Sequence, residues 1–504
     1  MGTPFDFDLA IIGGGAAGLS VAAGAAQLGV RTLLVEREAA LGGDCLHYGC
    51  VPSKALLHSA RLRRAMATAG RFGLPQPTRM PPVDFARVAA HVRGVVAAVQ
   101  AHDSVKRFTG LGATVRFGAA RFADEHTIVV DGKRITAARL VLATGSSAAA
   151  PPFQGAGSLP PGALLTNREI FSLDRLPASL IVLGAGPVGV EMAQAFARFG
   201  TRVTLVQRSD QILSREDRDM ADVVLRRLWE EGVEAHLGAT VRAVRPAPEG
   251  VEVDLELPGG GELTLTAEKL LAALGRRPNV FDLGLENAGV RHDARGVRVD
   301  RRLRTSQRHI FAAGDVTGAY QFTHAAGYEA SVVVANAVFR LPRRTDYRLL
   351  PWCTYTEPEL ASVGLNEKRA REAGIGVTVR TESFAHNDRA LAAHAGEGLL
   401  KLVLDRRGRP VGAQIVGPHA GELINEWVAA LGGGVRLAAL ASAPHPYPTL
   451  GEISKRAAGA VLAEKLFSER TRGLLRLLFR YRGPLEDGET GKREDATGEE
   501  PPEA

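Results

Sequence analysis

The residues best suited to chemistry are two cysteines five positions apart, Cys45 and Cys50, in the stretch GGDCLHYGCVPSK; one other cysteine, Cys353, occurs in 504 residues. Three cysteines cannot build a secreted disulfide framework, and a close pair in a reducing compartment suits reversible sulfur chemistry. In a regular helix, residues five apart have Cα atoms about 8–9 Å from each other, whereas a disulfide needs less than about 7 Å. If the two bond, Cys45 must sit in an irregular lead-in, which Gly49 permits. Pro52 suits the first turn of a helix running through SKALLHSARLRRAMATAG, with apolar Ala55, Leu56, Ala60 and Met66 recurring along it. Cys50 then stands at the helix N-terminus, where the dipole favours a thiolate. The competing readings are two unrelated buried thiols and a zinc site; zinc wants four ligands, and only His47 and His58 stand near.

The elements that must position this pair are two glycine turns. DLAIIGGGAAGLSVAAGAAQLGVRTLLVE reads as strand, turn, helix, strand, with Gly13, Gly15 and Gly18 in G-x-G-x-x-G spacing and Glu36 closing the second strand. Such glycines let backbone N–H groups approach a pyrophosphate at a helix N-terminus, while the acid binds ribose hydroxyls. The pattern recurs 171 residues later with Gly184, Gly186 and Gly189, but there the second strand ends in Gln207, Arg208 and Ser209. A carboxylate repels a 2′-phosphate and an arginine pairs with one, so the second site leans to NADPH. If Arg208 is only a solvated charge, NADH serves as well. Two dinucleotide sites in one chain make a hydride relay, for which a flavin and a nicotinamide are the natural pair.

Bulk properties fit a soluble globular enzyme. Hydrophobic residues make up 45% and aromatic residues 6%, and 62 basic side chains are interspersed with 55 acidic ones for a net charge of +7. This mixture suits an anionic cofactor and gives no nucleic-acid footprint. No apolar run approaches the roughly 18 residues of a membrane span, and the acid-bearing N-terminus MGTPFDFDLAIIGGG enters a strand at once, unlike a signal peptide. A cytoplasmic location is expected.

Taken together, GGDCLHYGCVPSK, LVLATGSS, ALGRRPN, IFAAGDVTG and YTEPELASVG occur in the order found in the class I pyridine nucleotide–disulfide oxidoreductases, which the chain resembles over roughly residues 6 to 465. The resemblance implies an α/β fold with two Rossmann-type dinucleotide-binding domains, for FAD and NAD(P), and a C-terminal α+β domain that forms a homodimer. The expected bounds are 1–155 for the FAD domain, 156–275 for the NAD(P) domain, 276–345 for the return to the FAD sheet and 346–465 for the interface domain. The resemblance also implies that Cys45 exchanges with substrate and Cys50 faces the flavin. It places Lys54 near the flavin with Glu191 as its acidic partner, puts Asp315 on the ribityl chain, and adds Thr144, Gly145 and Gly275 to the cofactor motifs. Asp44 departs from the usual threonine; a carboxylate near the flavin pyrophosphate must be turned away or paired. His47 and Tyr48 replace a common Asn-Val pair and are expected to shape the substrate mouth.

Members reducing disulfides end in H-x-H-P-T-x-x-E, where this chain has HPYPTLGE, so Tyr447 takes the place of the catalytic histidine and Glu452 that of its orienting acid. A tyrosine near pKa 10 is mostly a proton donor at neutral pH, where a histidine can accept. His445 substitutes only if the loop turns it inward. The tyrosine resembles the mercuric reductase branch, yet no cysteine follows Cys353, which is expected to be a buried strand residue. The reading is an FAD-dependent NAD(P)H oxidoreductase of mercuric-reductase type that passes electrons to a small disulfide or a metal ion. The alternatives are a dihydrolipoyl dehydrogenase and a redox-responsive flavoprotein docking on a membrane. The last rests on residues 466–483, where Arg472, Arg476 and Arg480 at helical spacing lie beside Leu474, Leu475, Leu477, Leu478 and Phe479. This basic amphipathic helix packs on the dimer or touches an anionic membrane surface. Residues 484–504 carry eight acids and two bases and read as a disordered tail.

Overall fold

The computed structural model describes residues 5–481; the tail expected over 484–504 and the end of the basic segment lie outside the described residues. The first sheet is built from β1 (Phe7–Ile12), β2 (Thr32–Glu36), β3 (Ala113–Phe117) and β4 (Lys133–Leu142), in the parallel order β3–β2–β1–β4. Ile310–Ala312 adds to the far side of β4, also in parallel, so the chain returns to this sheet after a long excursion. Leu9, Ile11, Leu34 and Val141 are fully buried against α1 (Ala16–Gln27), as a continuous apolar strand with cover on both faces requires. From β2 the chain passes into α2 (Gly43–Tyr48) and α3 (Cys50–Ala67).

The second parallel sheet repeats the plan. Its strands β5 (Ser179–Leu183), β6 (Arg202–Gln207), β7 (Glu234–Leu237) and β8 (Lys269–Ala272) run in the order β7–β6–β5–β8, with Leu164–Leu165 at the edge. Helix α4 (Pro187–Phe199) follows β5, begins with a proline in its first turn and buries Val190, Ala193 and Phe196. Helix α4 also packs on α3, which ties the cysteine segment to the second nucleotide unit. On α3, Ala55, Leu56 and Ala60 are buried as expected, while Met66 is 51% exposed.

Helix α5 (Thr323–Ala337) packs against α1. The C-terminal unit is a five-stranded antiparallel sheet of β9 (Trp352–Thr354), β10 (Glu359–Gly364), β11 (Val377–Ser383), β12 (Leu399–Asp405) and β13 (Pro410–Gly417), in the order β9–β10–β13–β12–β11. Helices α6 (Ala420–Gly432) and α7 (Glu452–Leu466) cover it, burying Trp427, Ile424, Ile453 and Ala457. The fold is thus α/β, with two Rossmann-type units and an α+β C-terminal unit. The basic segment breaks at Ser468, whose side chain caps α8 (Glu469–Phe479), and no residue of α8 is buried. Among the described residues no helix is long and apolar enough to cross a membrane.

Candidate active site

The cysteine pair is split by a helix break. Cys45 lies on the short helix α2 rather than in an irregular lead-in, and Cys50 is the first residue of α3. Gly49 between them leaves helical geometry at φ −134°, ψ −117°, and a Cβ there would stand 3.0 Å from the Asp44 carbonyl oxygen. The break supplies what a continuous helix lacks, a fold-back that lets the two sulfurs meet. Both are free thiols; Cys45 is half-buried and Cys50 opens onto the main cavity. Hydrogen bonding from the Cys45 thiol lowers the Cys50 pKa to about 6; burial opposes this, while Thr323 and the Lys54 charge assist it. Thr323 Oγ1, at the start of α5, lies 3.4 Å from Cys50 Sγ. Cys45 is pushed up in turn, by its hydrogen bond to Cys50 and then by burial. At neutral pH the pair therefore holds one proton, on Cys45, and one thiolate, on Cys50.

Lys54, one turn along α3, donates to Glu191 Oε2 at 2.8 Å and lies 4.4 Å from the centre of the Tyr355 ring. Glu191 on α4 is buried and accepts from the Tyr355 backbone N–H at 2.8 Å, so α3, α4 and the segment after β9 converge on one ion pair. Cys353 on β9 also lines the cavity; it is half-buried rather than fully buried, and burial followed by the Glu359 and Glu191 charges pushes its thiol well up.

Both glycine turns have the shape of a pyrophosphate cradle. A Cβ on Gly13 would stand 2.2 Å from the Ala143 carbonyl oxygen, and one on Gly18 1.8 Å from that of Gly13; Gly184 and Gly189 repeat this at 2.5 and 1.8 Å. Neither Gly15 nor Gly186, the residues before α1 and α4, supplies a side-chain cap, so first-turn N–H groups face the cavity. Glu36 ends β2 and accepts from the Gly14 and Glu38 backbone N–H groups at 2.6 and 2.8 Å. Thr144 and Gly145 hold Asn279 through the Thr144 hydroxyl and the Gly145 carbonyl, and Gly275, at φ +101°, accepts from Ala149 N–H. Asp315 is raised by burial, against a 2.5 Å hydrogen bond from Ser146. The cavity shared by both cradles measures about 1920 Å³, well above the roughly 300–1,000 Å³ of a single small-ligand pocket. The donor set and this space fit FAD at the first cradle and a nicotinamide dinucleotide at the second.

Asp44 is paired: Arg276 Nη2 stands 2.9 Å from its Oδ2, and Asn167 donates to both its oxygens at 3.1 and 3.3 Å. His47 and Tyr48 line the cavity, with the Arg168 guanidinium 4.6 Å from the centre of the Tyr48 ring. Arg208 is exposed on the cavity wall, and Arg215 joins it there. Sequence reasoning missed Arg215, Arg276, Thr323 and Tyr355. Arg276 could have been found inside ALGRRPN, whereas Thr323 carries no local pattern.

Tyr447 and Glu452 do not line the cavity of their own chain. Tyr447 is 71% exposed and donates to Asp388 Oδ2 at 2.9 Å. Glu452, at the start of α7, accepts from the Thr449 backbone N–H at 3.4 Å. A phenol carries its oxygen farther from the backbone than an imidazole carries its nitrogen, and so reaches Asp388. His445 bridges Glu426, at 3.0 Å, and the Ala443 carbonyl, also at 3.0 Å. Burial lowers its pKa, but these two acceptors outweigh that and leave it raised.

The family model "Pyridine nucleotide-disulphide oxidoreductase" matches residues 7–330, and the dimerisation domain of the same name matches residues 350–458. A mercuric reductase of Streptomyces lividans is 38% identical over 459 residues, 90% of this chain and 95% of that one. A dihydrolipoyl dehydrogenase of Geobacillus stearothermophilus is 35% identical over 466 residues, again 90% and 95%. Among solved structures, the HOCl-induced flavoprotein disulfide reductase RclA from Escherichia coli has a TM-score of 0.80 at 30% identity, covering 90% of this chain and 99% of that one.

Proposed function

Because this chain belongs to the pyridine nucleotide-disulphide oxidoreductase family, with its dimerisation domain, we propose a homodimeric, FAD-dependent NADPH oxidoreductase that delivers two electrons through Cys45 and Cys50. The acceptor class is a soft metal ion or a small disulfide, on the mercuric-reductase side of the family. The observation that carries this reading is the thiol–thiolate pair on the wall of a cavity fed by two glycine cradles. FAD held by Gly13, Gly15, Gly18, Glu36 and Asp315 would supply the electron-pair transfer between nicotinamide and sulfur. The remaining chemistry belongs to side chains. Lys54, fixed by Glu191, keeps a positive charge beside the Cys50 thiolate; Arg208 and Arg215 select a 2′-phosphate.

The acceptor preference follows from the proton. Exchange with a disulfide begins with the Cys45 thiolate forming a mixed disulfide and expelling a thiolate that must be protonated; Cys50 then attacks Cys45, closes the Cys45–Cys50 bond and expels the second thiolate. That cycle takes one proton from Cys45 and one from solvent and gives both to the products, work suited to a histidine that can accept and donate. Tyr447 is raised further by its bond to Asp388 and cannot accept a proton near neutrality. A soft metal ion bound by two thiolates takes the same electron pair without protonation of a leaving group. An NADPH-consumption screen over lipoamide, glutathione disulfide, Hg(II) and quinones, with Cys45→Ser and Cys50→Ser proteins alongside, tests this. Cysteine-dependent turnover should be greatest with the metal ion; turnover greatest with lipoamide would favour the dihydrolipoyl dehydrogenase reading. A second reading rests on α8, whose apolar Leu474, Leu477 and Leu478 are exposed beside Arg472 and Arg476. Docking on an anionic membrane surface would appear as co-sedimentation with anionic vesicles that is lost on removing residues 466–504.

A further inference from the structure

The segment after β6 carries Arg208 and Arg215, yet much of its support comes from the C-terminal unit. Glu216, 4% exposed, accepts from Trp352 Nε1 on β9, from Ser362 Oγ on β10 at 2.7 Å and from Gln414 Nε2 on β13 at 2.7 Å. Either side of it, the Arg215 carbonyl accepts from Asn366 at 2.9 Å and the Ser214 carbonyl from Lys368 Nζ at 2.6 Å. Asp217 accepts from the backbone N–H groups of Glu367 and Lys368 at 3.2 and 2.9 Å. Within the segment, Leu213 is buried at φ +45°, a left-handed conformation that a bulky side chain keeps only when its surroundings impose it. Gln414 turns its amide N–H groups to Glu216 and Ser362, leaving its own buried Oε1 without a partner among the described residues. A buried acceptor is given up so that Glu216 is satisfied, which marks Glu216 as the centre of the clasp.

We propose that Glu216 is a positioning residue for the second dinucleotide: its buried carboxyl fastens the segment bearing Arg208 and Arg215 to the C-terminal sheet and so fixes both arginines for a 2′-phosphate. The clasp joins the adenosine end of the nicotinamide site to β9, the strand that also presents Cys353 to the cavity. Affinity for the nucleotide is therefore set in part from the C-terminal unit. The proposal rests on reading the second glycine turn as an NADPH site.

The test is calorimetric titration of the FAD-loaded full-length protein with NADP⁺, together with steady-state KM and kcat for NADPH. In Glu216→Ala, NADP⁺ affinity and KM should worsen at least tenfold while kcat at saturation stays within twofold and the flavin is retained. Glu216→Gln should stay within threefold of the parent, because the Gln414 amide can turn its unpartnered Oε1 toward the new N–H group. Lys368→Met, which removes a half-buried tether that also lines the cavity, should weaken NADP⁺ severalfold. Unchanged NADP⁺ affinity in both Glu216→Ala and Lys368→Met overturns the proposal. So does a loss shared equally by kcat or accompanied by flavin release, since that is general destabilisation. A parent protein that binds no NADP⁺ refutes the nucleotide-site reading itself, a distinct result from variants that match a binding parent.

Discussion

Replacing Cys45 with alanine removes the sulfhydryl that donates to Cys50, the largest influence holding that thiol at about 6 instead of its ordinary 9.0. A hydrogen bond to a charged group contributes about 1.5–3 kcal/mol, and one pH unit corresponds to about 1.36 kcal/mol, so Cys50 should rise by about one to two units. Thr323 and Lys54 remain in the variant and keep the thiol below its ordinary value. At pH 7 the thiolate share then falls from roughly nine tenths to between about a half and a tenth. Thiolate ultraviolet absorbance, titrated in anaerobically reduced protein, reads the change directly. Cys45 and Cys353 are both pushed up and stay silent near neutrality, so Cys50 is the cysteine observed. The sign is fixed: a lowered thiol is ionised above its midpoint and loses its charge as pH falls through it. The unaltered protein should show one thiolate per chain with a midpoint near 6, and the variant one at about 7–8. A variant midpoint still near 6 would show that helix position or the Lys54 charge, not the Cys45 hydrogen bond, governs Cys50.

Arg208→Ala should raise KM for NADPH by about tenfold to a hundredfold, from the loss of a charge-assisted hydrogen bond, with little change for NADH; equal effects on both would remove Arg208 from phosphate selection. Tyr447→His should raise turnover with lipoamide at neutral pH by at least about tenfold, since general acid–base help contributes about 10²–10⁴-fold. An unchanged lipoamide rate counts against the assigned register. Lys401 is 3% exposed and lies 3.2 Å from Asp217 and 2.6 Å from Asp219. Lys401→Met leaves Asp217 buried without its cation and should cost about 3–5 kcal/mol of stability, read as a lowered denaturant midpoint.

The glycine turns were legible because a cradle needs residues of one type at fixed short spacing, and strand and helix patterns on either side supply the context. The break at Gly49 was half legible: the distance argument required a departure from helix, but a six-residue helix before the break is too short to show a periodicity. Asp44 shows the limit of local reading. Its oddity was visible within its own motif, while its partners Asn167 and Arg276 come from distant segments that only the folded chain brings together. Glu216 had no signal at all, because a buried carboxyl between two units looks like any other loop acid until its three donors are in place.

The most direct measurement is a thiol count on the FAD-loaded dimer after anaerobic addition of NADPH. The account predicts two new titratable thiols per chain, assigned by mass spectrometry to Cys45 and Cys50. An oxidised pair that persists after the flavin has bleached would contradict it.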